Sequence, residues 1–307
     1  MKATTRSPTV SVVMTTYNGE RFLAQQLDSV IDQTYPIKEI LICDDCSTDS
    51  TLEILQRYQQ QCPLIRVVRN EKNQGYVKNF EHAISLANSE YIALCDQDDI
   101  WLPEKLERLL PLVADCSIVY CDSMLVDEAG NSLGRNLSDI KNLAGYKSCL
   151  PFAIGNSASG HAMVMSKSFV LSTMPFPEFM VYDWWLAFCA ACNRGLNYVD
   201  QPLVLYRQHA GSIVGAVRPS AGLRKKTREN ETSAIRQRMK WFAERSHARP
   251  EHPVIQEILE SYEDFSLSNN TKRALLFLKY KENLLAIKKR SAFRKTVFCF
   301  KMWFKII

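Results

Sequence analysis

Short apolar stretches alternate with longer amphipathic stretches over the first 121 residues of the chain. The short stretches are apolar at consecutive positions and rich in β-branched residues, which is typical of strands buried on both faces of a parallel sheet. The longer stretches carry apolar residues near helical spacing. The pattern predicts strands over 9–16, 38–43, 64–68 and 117–121, a further strand from Tyr91, and helices over 20–33, 50–61, 76–87 and 104–114. This alternation predicts an α/β fold with a doubly wound, mostly parallel sheet.

Polar side chains cluster where three of these strands end, at residues 16–19, 44–49 and 96–99. Ligands of doubly wound sheets bind beyond the carboxyl ends of the strands, so the clusters predict one ligand pocket. Asp96, Asp98 and Asp99 would repel one another there unless a cation or bound hydroxyl groups share their charge. A divalent metal or a hydroxyl-rich ligand therefore completes the site, whereas helix capping would explain one acid but not three.

The strand-to-helix loops lack the glycine-rich motifs that bind phosphate through the backbone. Neither Gly-x-Gly-x-x-Gly nor the Gly-Lys-Ser/Thr of a P-loop occurs in the chain. We therefore expect a nucleotide-type pocket in which a metal ion holds the phosphates.

Four short motifs, in this order, resemble the donor half of family 2 glycosyltransferases, which have the nucleotide-sugar-binding GT-A fold. They are Thr15-Thr16-Tyr17-Asn18-Gly19, Asp44-Asp45-Cys46-Ser47-Thr48-Asp49, Asn73-Gln74-Gly75 and Asp96-Gln97-Asp98-Asp99. Within the family, residues 96–101 and 205–209 are similar to those of bacterial rhamnosyltransferases of surface-polysaccharide synthesis. The resemblance implies a GT-A catalytic domain over 1–215, with a donor-binding half at 9–122 and an acceptor half at 123–215.

The resemblance also implies roles for individual residues. The loop after the first strand would lie over the base and ribose, and the acids after the second strand would contact a pyrimidine base. The Asp-x-Asp-like element would bind the ribose and a Mn²⁺ or Mg²⁺ ion on the diphosphate, with Asp98 and Asp99 favoured as metal ligands. The expected donor-binding residues are Thr16, Tyr17, Asn18, Asp44, Asp45, Asn73, Gly75, Lys78, Asp96, Asp98, Arg207 and His209.

Asp183 precedes a segment without charged residues at 184–192, which predicts a buried helix. An acid at the start of such a helix, beside two tryptophans, should have a raised pKa. Its position is that of the family's general base, although Tyr182 stands where the family usually has Glu. The resemblance therefore implies that Asp183 is the catalytic base, and helix N-capping is the alternative.

Two further segments carry candidate site residues. Arg207 and His209 follow a predicted strand at 203–206, and the resemblance implies that they reach the leaving diphosphate or its metal. A surface turn is the alternative for these two residues. His161 follows a run of small residues at 156–160, and it is either a core histidine or a site residue.

The charge distribution separates the C-terminal region from the rest of the chain. Residues 216–307 carry 21 basic and 9 acidic residues, a net charge of +12, whereas residues 1–215 carry 17 and 24, a net charge of −7. From Asn283 onward, seven basic residues alternate with aromatic and aliphatic ones and no acid occurs. This predicts a basic, helical extension in contact with an anionic membrane surface, and packing on the core is the alternative. The acidic front half argues against nucleic acid as a partner.

The sequence also predicts where the protein works. It contains no stretch of membrane-spanning length, and its N-terminus lacks the apolar core of a signal peptide. We therefore expect a cytoplasmic protein, peripheral on the inner face of the cytoplasmic membrane. Its ten cysteines are then expected to be reduced.

The predicted function is an inverting, non-processive transfer of a sugar, with L-rhamnose as one candidate, to a hydroxyl group. The donor would be a nucleoside-diphosphate sugar, and the acceptor a lipid-linked or growing bacterial surface glycan. A sugar nucleotidylyltransferase is one alternative, but the glycine-rich N-terminal signature of that class is missing between residues 9 and 22. A non-catalytic glycan-binding or membrane-binding module is the other, and it predicts broken acidic clusters.

Overall fold

The computed structural model describes residues 7–209 and 228–303. The predicted domain boundary at residues 215 and 216 lies outside these ranges, as does the end of the basic tail at 304–307, so the division into domains stays a prediction. Within the described residues the α/β class is confirmed, because nine strands form one sheet and helices pack against it.

The first half of the sheet is parallel, with strand order β3-β2-β1-β4. Its strands are β1 (Val10–Thr16), β2 (Glu39–Asp44), β3 (Ile65–Arg69) and β4 (Tyr91–Cys95), and the helices between them are α1 (Leu23–Ile31), α2 (Thr51–Gln61) and α3 (Tyr76–Leu86). The apolar residues of β1, β2 and β4 are fully buried, as consecutive apolar positions predict. Thr16 pairs with Asp44, and Met14 with Cys95, so the polar residues after these strands meet at one edge.

The sheet continues beyond β4 with strands of mixed direction. They are β5 (Ile100–Trp101), β6 (Ile118–Val126), β7 (Ser132–Asn136), β8 (Met163–Ser166) and β9 (Leu196–Arg207), accompanied by α4 (Lys105–Leu109), α5 (Lys167–Leu171) and α6 (Tyr182–Ala191). Strand β8 is antiparallel to both β4 and β6, whereas β6 and β9 are parallel. The helix predicted over 104–114 ends at Leu109 and continues as a 3₁₀ helix, because Pro111 has no N–H to donate.

Helix α6 is buried, as its lack of charge predicts. Its residues from Trp185 to Ala191 are buried, and Phe188 stacks on Phe242 with ring centroids 3.8 Å apart. Phe242 belongs to the first of the C-terminal helices, so that region covers this part of the catalytic fold.

The C-terminal region is helical, as predicted. Its helices are α7 (Arg228–Ser246), α8 (His252–Ser261), α9 (Leu267–Lys279), α10 (Lys281–Leu284) and α11 (Ala292–Lys301). Between α10 and α11 the chain lies along the segment at 138–142, where Ile287 O accepts a hydrogen bond from Asn142 N at 3.2 Å. Among the described helices, none has the length and apolar character that crossing a bilayer requires.

Candidate active site

A cavity of about 960 Å³ opens at the carboxyl ends of β1, β2 and β4. Pockets of this order can enclose a whole small-molecule ligand. The predicted site residues that line it are Thr16, Tyr17, Asn18, Asp45, Asn73, Gly75, Asp96, Asp98, Asp183 and His209. Folding therefore brings ten predicted residues around one space, and Asp44, Lys78, Asp99 and Arg207 lie outside its lining.

The loop after β1 is fixed by its neighbours on both sides. Asn18 adopts a φ of 47°, a left-handed conformation that asparagine tolerates, and its Oδ1 accepts a hydrogen bond from Thr48 N at 2.8 Å. Gln97 accepts from Tyr17 N at 2.9 Å and donates to Tyr17 O at 3.1 Å. The Tyr17 ring itself remains 49% exposed at the cavity, where a flat base could stack on it.

Asp44 has a structural role that the sequence expectation did not include. Its carboxylate is fully buried and accepts hydrogen bonds from Thr16 Oγ1 at 2.9 Å and from Ser47 N and Oγ at 3.0 and 2.5 Å. These bonds join β1 to the loop after β2, and Asp44 lies outside the cavity lining. The contact between Asp44 and the donor stays a prediction.

Asp45 lines the cavity and also holds the loop at 73–75 in place. Its oxygens accept hydrogen bonds from Gln74 N and Gly75 N, both at 2.9 Å, and from Asn70 Nδ2 at 2.7 Å. Gly75 has a φ of 80°, which a glycine adopts without strain. The carboxylate thus positions Gly75 at the cavity wall, and the Asp45 backbone carbonyl holds Asn73 by accepting a hydrogen bond from its Nδ2 at 3.1 Å.

Lys78 does not reach the cavity. Its ammonium forms ion pairs with Glu81 at 3.3 Å and with Glu178 at 3.6 Å. With these ion pairs Lys78 lies outside the cavity lining, and its contact with the donor stays a prediction.

Arg207 and Asp99 together anchor the segment that carries His209. Asp99 is fully buried, and its Oδ1 accepts the Arg207 backbone N–H at 3.0 Å. The Arg207 guanidinium is also buried and donates to Asp98 O at 2.8 Å and to Gln25 Oε1 at 2.7 Å. With these donors engaged in the protein, Arg207 positions the segment that carries His209, and its contact with a diphosphate stays a prediction.

This anchoring brings the His209 imidazole to the acidic loop. His209 Nε2 lies 2.7 Å from Asp98 Oδ2, and both side chains line the cavity. Their side chains are 12% and 23% exposed, so the pair faces the space that a ligand would occupy.

Asp96, Asp99 and His161 form a second group of possible metal ligands. His161 Nδ1 is 3.5 Å from Asp99 Oδ2 and 3.8 Å from Asp96 Oδ2, and the ligand atoms of the three residues lie within 4.8 Å of one another. Asp99 Oδ2 has no hydrogen-bond partner among the described residues. Burial raises the pKa of Asp99 to about 8, with Asp98 and Asp96 adding to the increase and His161 opposing it. Burial lowers the pKa of His161, but Asp99 and Asp96 outweigh it and raise that pKa.

Two residues of this region were missed in the sequence. Lys105 is fully buried, donates to His161 O at 2.5 Å and lies 3.2 Å from the centre of the Trp101 ring. Burial lowers its pKa to about 8. Tyr182 donates its hydroxyl to Asp96 Oδ1 at 3.3 Å. Nothing in the local sequence distinguishes Lys105, because it occupies an ordinary position at the start of a helix. Tyr182 directly precedes the predicted base Asp183, and that neighbour was the available signal.

Asp183 lies in the first turn of α6 and faces the cavity. The helix N-cap is Val181, with no side-chain capping bond, so the capping alternative for Asp183 is wrong. Its Oδ2 accepts a hydrogen bond from Gly160 N at 3.2 Å. Burial raises its pKa to about 6, against the opposing effect of Lys141. The group is therefore ionised at neutral pH and basic enough to accept a proton.

Comparison with known proteins also indicates a glycosyltransferase. The family described as glycosyl transferase family 2 matches residues 11–170. The dTDP-rhamnosyl transferase RfbG of Shigella flexneri is 32% identical over 220 residues, covering 66% of this chain and 74% of its own.

Two solved structures share the fold. S. aureus TarS 1–349 in complex with UDP-GlcNAc superposes with a TM-score of 0.62 at 17% identity, covering 95% of this chain and 89% of the other. The mannosyltransferase PcManGT from Pyrobaculum calidifontis, in complex with GDP-Man and Mn²⁺, gives 0.51 at 16% identity, covering 90% and 76%. At these identities the likenesses show the GT-A fold alone. The family match spans more than half of the chain, and with its GT-A fold the chain belongs to glycosyl transferase family 2.

Proposed function

We propose that this chain transfers a sugar from a nucleoside-diphosphate sugar to an acceptor hydroxyl group, with inversion at the anomeric carbon and one transfer per binding event. The observation that carries the proposal is a single cavity in which the acidic loop and Asp183 both face the ligand space. Membership of the family supports the reaction class, and the UDP-GlcNAc bound to TarS supports the type of donor.

The donor nucleoside would occupy the part of the cavity formed by the loops after β1, β2 and β3. Thr16, Tyr17 and Asn18 form one wall there, and Asp45, Asn73 and Gly75 form another. Asp96 lies between these loops and Asp183, where its carboxylate can accept hydrogen bonds from ribose hydroxyl groups.

The residues at the acidic loop fit a divalent cation. Asp98 and His209 offer an oxygen and a nitrogen ligand that face the cavity, a donor set that suits Mn²⁺. We assign Asp98 and His209 as the ligands that face the cavity. Asp99 keeps its predicted role as a candidate ligand, because its Oδ2 has no hydrogen-bond partner among the described residues and lies with Asp96 and His161 in a group that could hold a metal ion. A bound cation would neutralise the charge that develops on the leaving diphosphate.

Asp183 would act as the general base. The acceptor hydroxyl gives its proton to the Asp183 carboxylate while its oxygen forms a bond to the anomeric carbon. The bond from that carbon to the diphosphate oxygen breaks with its electron pair, and the nucleoside diphosphate leaves. One displacement of this kind inverts the configuration, and general-base catalysis of the step is worth about 10² to 10⁴ in rate.

A relative of this chain suggests the donor sugar. RfbG is a dTDP-rhamnosyl transferase, which makes L-rhamnose the first sugar to test. The proposed acceptor is a lipid-linked or growing bacterial surface glycan.

The decisive experiment measures donor turnover. Release of nucleoside diphosphate from dTDP-rhamnose, UDP-glucose, UDP-galactose, UDP-GlcNAc and GDP-mannose is followed with Mn²⁺, with Mg²⁺ and with EDTA. We expect slow hydrolysis of one donor that needs the metal. Asp98→Ala should reduce it at least 100-fold, about the loss of one essential charge-stabilising group. Asp115→Asn, an exposed acid outside the cavity, is the matched control.

Two outcomes would contradict the proposal. Turnover that is equal in EDTA and Mn²⁺ would refute the metal assignment. A protein that neither hydrolyses any of the five donors nor binds a nucleoside diphosphate in calorimetry would refute the glycosyl transfer.

We also propose that helix α11 contacts an anionic membrane surface. Its inner face packs on the core through Phe298, Cys299 and Met302, so the packing alternative holds for that face. Its opposite face presents Phe293 and Phe300, which are 77% and 60% exposed. Exposed aromatic residues flanked by basic ones are typical of helices that lie on anionic bilayers, and Arg290, Arg294 and Lys301 supply the positive charge. The protein would then be peripheral at the inner face of the cytoplasmic membrane.

Liposome sedimentation tests this contact. The double variant Phe293→Ser/Phe300→Ser should lose binding to phosphatidylglycerol-containing vesicles, because it removes apolar area without changing charge. Leu133→Ser, at an exposed apolar residue of β7, is the control. Equal binding of the double variant and the wild type would refute the proposed membrane face.

A further inference from the structure

The basic side chains of the cavity wall differ in how they are paired. Arg21 lines the cavity but forms an ion pair with Glu128 at 2.7 Å. Lys141 also lines the cavity, and the described part of the chain gives its ammonium neither a hydrogen-bond acceptor nor an ion pair within 4.0 Å. The positive charge of Lys141 lowers the pKa of Asp183 and so opposes the effect of burial on that carboxylate.

The backbone of Lys141 is held by two parts of the fold. Its N–H donates to Leu137 O at 2.9 Å, directly after the 3₁₀ helix at Leu137–Asp139. On the other side, it forms a β-bridge with Lys288 from the segment between α10 and α11. The C-terminal region therefore fixes the cavity wall that carries Lys141.

A partly buried ammonium without a close ion-pair partner is costly. Burial lowers the pKa of Lys141, and the more distant charge of Asp183 offsets this only in part. An isolated cation is stabilised when a ligand brings an anionic group to it, and such charge-assisted hydrogen bonds are the stronger ones. The cavity wall at Lys141 therefore favours an anion.

That anion would not be the diphosphate of the donor. The acidic loop with Asp98 and His209 is the part of the cavity suited to a metal-bound diphosphate, as argued above. Lys141 instead acts on Asp183, the group that faces the acceptor hydroxyl in the proposed reaction. Ser159, with its hydroxyl, lines the same cavity and belongs to the loop that supplies the Gly160 N–H to Asp183.

We propose that Lys141 is an acceptor-recognition residue and that the acceptor carries an anionic group, a carboxylate or a phosphate, close to the hydroxyl that is glycosylated. The inference rests on the proposed glycosyl transfer and adds the chemical class of the acceptor. Two further basic residues lie next to the segment that carries Lys141: Lys288 pairs with Lys141 in the β-bridge, and Lys289 Nζ donates to Ser138 O at 2.9 Å. Asp139, the acid nearest to Lys141 in the chain, accepts a hydrogen bond from Asn136 N in a capping box.

The experiment compares acceptors that differ in one group. Octyl glucoside, octyl glucuronide and octyl glucoside 6-phosphate carry a neutral, a carboxylate and a phosphate group at the same carbon. Binding of each to the full chain, loaded with nucleoside diphosphate and Mn²⁺, is measured by calorimetry below the micelle concentration. Where transfer occurs, kcat/KM is measured for the same three compounds, and donor hydrolysis is measured separately.

The wild type should bind one or both anionic compounds about tenfold to 100-fold more tightly than the neutral one, the range of one charge-assisted hydrogen bond. Lys141→Met should reduce this ratio to near one, and Lys141→Arg should keep it. Lys147→Met, at an exposed lysine of the same segment that does not line the cavity, should also keep it. The compound with the larger ratio distinguishes a carboxylate acceptor from a phosphate acceptor.

Two results would overturn the inference. One is equal binding of the neutral and anionic compounds by the wild type. The other is a Lys141→Met variant that still prefers the anionic compounds while its kcat falls equally for all three acceptors. That result would mean that Lys141 only keeps Asp183 ionised. Donor hydrolysis by the wild type shows separately whether the proposed function holds, since water replaces the acceptor in that assay.

Discussion

Replacing Asp183 with asparagine should inactivate the protein and stabilise it at the same time. Asparagine has nearly the same size, and its Oδ1 can still accept the hydrogen bond that Gly160 N donates at 3.2 Å. The substitution therefore removes the negative charge and little else. A residue with only a structural role would respond differently, because its loss would lower stability.

The effect on activity follows from the proposed chemistry. An amide cannot accept a proton from the acceptor hydroxyl, so kcat should fall by about 10² to 10⁴. The KM for the donor should change little. In the wild type, kcat/KM should rise with pH through about 6 and then level off, because burial raises the pKa of Asp183 to about 6 and the base must be ionised.

The effect on stability follows from the same pKa. Burial raises it from the ordinary value of 3.8 to about 6, so ionising Asp183 costs more in the folded than in the unfolded protein. The stability contribution of the protonated group is fully present below pH 3.8 and is lost as the pH rises through about 6. This difference between the two pKa values corresponds to about 3 kcal/mol. Asp183→Asn should therefore raise the free energy of unfolding by up to about 3 kcal/mol at pH 8 and by about zero at pH 4.

Urea unfolding at pH 4, 6 and 8, together with initial rates of transfer, tests both effects. Asp115→Asn, an exposed acid outside the cavity, controls for the loss of a negative charge. A variant that is less stable than the wild type at pH 8, or one that keeps full activity, would refute the reasoning.

Three further substitutions test the geometry of the site. In Gly160→Ala the new Cβ would come within 2.9 Å of the Tyr182 ring, so the free energy of unfolding should fall by about 1–3 kcal/mol in urea titrations; an unchanged stability would contradict the close contact. Asp45→Asn should raise the KM for the donor about tenfold. The single amide oxygen cannot accept the hydrogen bonds of both Gln74 N and Gly75 N, which the two carboxylate oxygens accept. A normal KM would show that the loop at 73–75 keeps its position without the carboxylate. Arg207→Lys should increase the Mn²⁺ concentration needed for half-maximal hydrolysis, because lysine cannot reproduce the guanidinium contacts that place His209, and an unchanged metal requirement would argue against that anchoring.

The pattern of apolar and polar residues was enough to predict the first half of the sheet and the edge at which the site lies. Consecutive apolar residues identified the parallel strands, and the polar residues after them had to meet because parallel strands end on the same side. The lack of charge around α6 likewise predicted its burial and the raised pKa of Asp183, because desolvation depends on local composition. These features rest on short-range patterns, which a sequence shows directly.

The tertiary structure decided how the acids divide their work. Asp44 and Asp45 are adjacent in the chain. The Asp44 carboxylate accepts hydrogen bonds that join β1 to the loop after β2, whereas Asp45 lines the cavity. Asp98 and Asp99 are separated in the same way, because the partner of Asp98 is His209, more than 100 residues away. Lys141 became a site residue only through folding, since a lysine in a loop carries no sign of the cavity it faces. Which partner a side chain meets depends on packing between distant segments, and local spacing does not record it.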